Sequence, residues 1–157
     1  MAPHKLCKNC KKFAKSLGLC PSLAQVKKDC KSGSCLVDTY RKLHVCNYVT
    51  GQRLNHPMIV PATFGYQKDK HGRVYSMAEI AGTEQEILQI AEYAGKKSLN
   101  VSALSNRWAN LEPNLLVINI FSDKLCPDKF ARKIKKVLKK ACSYKLGNSV
   151  YDTIKRK

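Results

Sequence analysis

Apolar residues recur along this chain at two spacings, and the switch between them marks its elements. Phe13 and Leu17 stand four apart within 8–17, and Gly18 follows as a stop, which predicts a short helix. Pro21 or Ser22 opens a second predicted helix through Leu23, Val26 and Lys27 toward Cys30. Residues 35–40 then read as extended, with Leu43, Val45 and Tyr48 continuing in alternation. Asn55-His56-Pro57 and Val60-Pro61 disfavour helix, so a module boundary is expected there.

Beyond it, Thr63 to Tyr66 and Arg73 to Ser76 flank a polar loop ending at Gly72, the pattern of a β-hairpin. Thr83-Glu-Gln-Glu86 is a capping box, and Ile87, Leu88, Ile90, Ala91 and Ala94 form a helical stripe ending at Gly95. Val101, Leu104, Trp108 and Leu111 continue at helical spacing, with Asn100 or Ser102 as cap and Pro113 as terminator. Leu115 to Phe121 is the most hydrophobic run and reads as a buried strand. Cys126-Pro127-Asp128 opens a last helix, with Phe130, Ile134, Val137, Leu138 and Ala141 on one face and Gly147 as a stop.

These elements predict an α+β fold in two parts. Residues 1–56 form a small cysteine-rich module of short helices, held by metal or disulfides. Residues 57–157 form an α+β core with a β-hairpin, one buried strand and a basic amphipathic C-terminal helix.

Charge adds what periodicity leaves out. The formal net charge of +18 divides into +8 over residues 1–50, +1 over 51–120 and +9 over 121–157. Self-repulsion of this size weakens the compact state unless a polyanion neutralises it. Lys8, Lys11, Lys12 and Lys15 at one end, and Lys129, Arg132, Lys133, Lys135, Lys136, Lys139 and Lys140 at the other, are the candidate phosphate contacts. Lysine dominates over arginine, which suits a diffuse phosphate field better than bidentate base readout. Phe64, Tyr66 and Tyr75 beside Lys68, Lys70 and Arg73 offer base stacking, although aromatics at strand spacing are first of all core.

Six of the eight cysteines fall in the first fifty residues. Cys7-Lys-Asn-Cys10 has the spacing of a zinc knuckle, and Cys30 to Cys35 supplies a second pair across a turn that Gly33 permits. Cys7, Cys10, Cys30 and Cys35 are therefore the expected ligands of one structural zinc. His4, His44, Cys20 and Cys46 stand nearby, and a three-disulfide framework is the competing use of the same cysteines. Cys126 and Cys142 sit about 24 Å apart along the last helix, too far to pair, and each is expected to be a buried small hydrophobe.

The chain shows no Gly-rich phosphate loop, H-E-x-x-H, G-x-S-x-G or paired carboxylates, and no cysteine pairs evidently with His44, His56 or His71. It shows neither an apolar signal region after Met1 nor a run of about 18 apolar residues. The expectation is a non-catalytic protein of the cytoplasm, the nucleus or a virus particle, binding nucleic acid mainly through phosphates. The alternative is a structural subunit of a large assembly, a virus particle or ribonucleoprotein, stapled by disulfides and clamping acidic neighbours.

Overall fold

The computed structural model describes residues 8–19, 25–29 and 33–141. In chain order the elements are α1 (Lys8–Leu17), β1 (Gln25–Asp29), β2 (Ser34–Tyr40), β3 (Val45–Asn47), β4 (Arg53–Leu54), β5 (Pro61–Lys68), β6 (Val74–Thr83), α2 (Glu84–Lys96), β7 (Asn100–Asn106), β8 (Leu111–Glu112), β9 (Leu115–Ser122) and α3 (Pro127–Lys140). The fold is α+β, as its periodicities predict.

A six-stranded antiparallel sheet in the order β1-β2-β5-β6-β9-β7 forms its centre. All three helices pack on one face. Alternate strand residues meet them there: Val37, Phe64, Ile80, Ile118 and Ile120 against Phe13, Ile87, Ile90, Phe130 and Ile134, all essentially buried. The other face is partly covered by a small sheet, β4-β3-β8, through Val45, Val60, Ala81, Leu111, Leu115 and Val117. The first half of β9 is thus covered on both faces, which accounts for its unbroken hydrophobic run. Beyond the small sheet that face is open, and Tyr75 stacks on Phe121 there with centroids 5.3 Å apart. Phe64 and Tyr66 of the same hairpin are core.

Three local expectations hold closely. Helix α1 ends where Gly18 takes φ +85°, with Gly18 N–H bonded to Lys15 O and Leu19 N–H to Ala14 O. The Thr83 capping box forms: Thr83 Oγ1 accepts from Glu86 N–H, and the Glu86 carboxylate accepts from Thr83 N–H at 3.1 Å. Pro127 stands in the first turn of α3, whose predicted apolar face is buried.

Two predicted helices are instead strands. The described part of the first, residues 25–29, pairs antiparallel with 34–38, and Gly33 takes φ +70° just before β2, while residues 21–24 and 30 lie outside the described residues. A polar pentapeptide with one valine has little apolar stripe to bury as a helix, whereas the edge of β2 satisfies its backbone. Residues 100–106 pair with β9, with a register shift between Val101 and Ala103. That bulge sets Val101 opposite Ile120 and Leu104 opposite Ile118, on one face. A bulge converts the strand's two-residue spacing into three, and three imitates a helix.

Across residue 56, β2 pairs with β5 from Cys35↔Tyr66 to Tyr40↔Pro61. A buried ion pair also crosses it. Arg41 donates to Glu86, and each side chain is only 7% exposed. Cys126 corrects another expectation: it is exposed, because the N-cap position lies off the buried stripe of α3. Cys142 and Gly147 lie outside the described residues.

Candidate nucleic-acid interface

The two positive poles of the sequence become neighbours in space. Helices α1 and α3 lie side by side: Lys12 Nζ is 2.6 Å from Asp128 Oδ2, and the Lys135 stem crosses Gly18. Early residue meets early residue and late meets late, so the helices run in the same direction. A Cβ at Gly18 would lie 3.0 Å from Lys135 Cε, the far end of a flexible side chain that can move aside, so it is the φ of +85° rather than space that asks for glycine here.

Burial of Phe13, Ala14 and Leu17 on α1, and of Phe130, Ile134 and Val137 on α3, turns the opposite sides of both helices outward. Those sides are basic. Helix α1 carries four lysines and no acid, and α3 seven basic residues and one acid, a net of +10. Lys8, Lys11, Lys12, Lys15, Lys129, Arg132, Lys136, Lys139 and Lys140 are exposed, while Lys133 and Lys135 are half-buried.

Several of these cations also hold the fold. Lys133 Nζ donates to Lys97 O at 2.6 Å at the end of α2, and Arg132 Nε to Asp128 O at 3.2 Å within α3. Lys140 Nζ lies 5.8 Å from the centre of the Tyr93 ring. The contact with α2 brings exposed Lys96 and Lys97 to the margin of the same surface. Sequence reasoning passed over these two lysines because they close a near-neutral segment, and only Lys96 in the last turn of α2 and Lys97 at its C-cap hint at them.

The expected zinc ligands are resolved in part. Cys10 and Cys35 form a disulfide with Cα atoms 5.5 Å apart, joining α1 to β2. So bonded, neither offers a thiolate to a metal. Cys7 and Cys30 lie outside the described residues, as do Cys20 and His4. Among the described residues no group of three or more His, Cys, Asp or Glu is placed to hold a metal ion. Cys46 and Cys126 are free and exposed. No described helix is long and apolar enough to cross a membrane.

On the underside of the interface, Tyr66 stacks edge-on against Phe13 at 5.1 Å. Burial, with the Asp128 carboxylate adding to it, pushes the Tyr66 phenol above its ordinary value. No curated protein and no solved structure matches the chain. A family model described as "Domain of Unknown Function (DUF1259)" matches residues 23–140, from before β1 to the end of α3, and the chain belongs to that family.

Proposed function

We propose that this protein binds nucleic acid, without catalysis, through phosphate contacts along the paired outer faces of α1 and α3. The carrying observation is the parallel placement of two helices whose combined +10 faces outward on one side of the sheet. Each lysine that neutralises a phosphate releases counterions, which gives affinity with little sequence preference. Ten lysines and one arginine on these helices suit that mode better than base recognition. Such a partner places the protein in the cytoplasm, the nucleus or a virus particle. In a reduced chain, Cys10 and Cys35 would be released to join Cys7 and Cys30 as ligands of a structural zinc. Intact mass before and after chelator and reductant tests that part separately.

A second reading, as a structural subunit of a large assembly that clamps acidic neighbours, is favoured by the Cys10–Cys35 staple and by β7. That strand is exposed along its whole length and carries no charge.

Binding to mixed-sequence RNA and DNA between about 50 and 200 mM salt separates the two. The first reading expects affinity to fall steeply and alike for all sequences. Salt-insensitive association with an acidic protein, and none with nucleic acid, would overturn it.

A further inference from the structure

A cavity of about 300 Å³ lies between the stretch after β2 and the segment from β4 to Val60, and no residue of α1 or α3 lines it. Its size is at the small end of ligand pockets. Besides Arg41, four side chains of its wall are basic or imidazole: Lys42, His44, Arg53 and His56. Arg41 lines it too, with its charge answered by Glu86. Among the described residues, no carboxylate lines it.

The hydrogen bonds fix what the imidazoles can do. The Arg53 guanidinium donates to His44 Nδ1, and Met58 N–H donates to His56 Nδ1 at 3.2 Å. Each ring accepts at Nδ1, so each carries its proton on Nε2 and has one further donor. Lys42, Arg53 and the two rings therefore form a donor-rich rim without a balancing anion. Leu43, Leu54 and Ile59 supply an apolar wall beside it. We infer that this cavity binds a small organic phosphate monoester. Its phosphate meets Arg53 and Lys42, and its flat or apolar part lies on the leucines and Ile59. Guanidinium and ammonium groups make the charge-assisted hydrogen bonds such a dianion needs.

Calorimetry on the full chain tests this with inorganic phosphate, AMP and adenosine as probes. Saturable one-to-one binding of AMP is expected, tighter than that of phosphate, with none of adenosine. Arg53→Gln should weaken AMP by about tenfold or more, since a hydrogen bond to a charged group is lost. Arg53→Lys should recover part of that loss. Arg53 is exposed, so an unchanged circular dichroism spectrum establishes that the variant folds. Lys124→Gln, exposed and outside both this cavity and the two basic helices, should leave AMP binding unchanged, so that a loss at Arg53 is local to the cavity. Absence of saturable AMP binding, or binding indifferent to both Arg53→Gln and Lys42→Gln, would overturn the assignment. Competition with AMP by a 5′-phosphorylated oligonucleotide, but not its 5′-hydroxyl counterpart, supports the site with a strand end as the monoester. Competition by neither supports it with a free small molecule.

Discussion

Lys12 Nζ and Asp128 Oδ2 meet at 2.6 Å, and through them the first turn of α3 is tied to α1. The pair is lopsided in exposure, 70% for the lysine and 20% for the aspartate. Such an exposed pair contributes at most about 1 kcal/mol to stability. Asp128 is also the only acid on the two helices. Asp128→Asn should therefore cost little in thermal unfolding yet raise affinity for nucleic acid. An unchanged or lower affinity would count against these helices as the contact surface.

Lys11, Lys15, Lys136 and Lys139 are exposed on the same surface. Replacing all four with glutamine should leave the fold intact, since exposed substitutions stay within about 0.5 kcal/mol each. The slope of log affinity against log salt should become shallower by roughly 0.7–0.9 for each lysine that met a phosphate. Substitutions at Lys70 and Lys124, exposed and away from both surfaces, should change the slope less per lysine. Equal effects per lysine from the two sets would mean that total charge, not this surface, governs binding.

The Cys10–Cys35 bridge spans 25 residues of sequence. By chain entropy a loop of that size stabilises the folded state by roughly 3–4 kcal/mol. Cys35→Ser, or reduction of the natural chain, should lower the denaturation midpoint accordingly. A shift of less than about 1 kcal/mol would show that the bridge adds little to what packing already secures.

Arg41 and Glu86 present a different balance, because both are buried. Removing one partner of such a pair leaves a charge without compensation, at a cost of about 3–5 kcal/mol. Glu86→Gln retains an oxygen for the Thr83 N–H cap and removes the charge. It should lose most of that energy, and Arg41→Met added to it should restore a substantial part. Simple additivity in urea titrations would contradict this coupling.

Tyr66 sets an alkaline limit. Its phenol is held above the ordinary value of 10.0, first by burial and then by Asp128. A group with a raised folded pKa contributes stability that is complete below the unfolded value and disappears as pH rises through the folded one. Unfolding near pH 10 and above should therefore become easier. Tyr66→Phe keeps the ring against Phe13 and should reduce this alkaline loss while changing neutral stability little. Parallel pH profiles for the two proteins would exclude Tyr66 as the source.

What could be read from the sequence was what depends on near neighbours. The Thr83 box, the hairpin read at 63–76, the apolar run of β9 and the two-sided character of α3 each follow from residues within about fifteen positions. The failures come from structure made at a distance. Residues 25–29 become a strand because β2 offers an edge, and Val101 and Leu104 share a face only because a bulge intervenes. Strands as short as β3, β4 and β8 carry too few residues for any periodicity. Of the candidate site, the basic residues of α1 and α3 were evident one by one. Their meeting, the union of Cys10 with Cys35 and the approach of Arg41 to Glu86 belong to tertiary packing and leave no local pattern.

The side-by-side docking of α1 and α3 also has a consequence for the order of events during synthesis. The first helix leaves the ribosome with its apolar side uncovered, and the helix that covers it is the last described element to be made. Until then, Phe13 and Leu17 remain without that cover and the positive charge stays dispersed. The basic surface is thus assembled only once α3 has been made, and is absent from any fragment that stops before Pro127. Attraction to polyanions along two helices at once would mark completion of the fold as surely as a melting curve does.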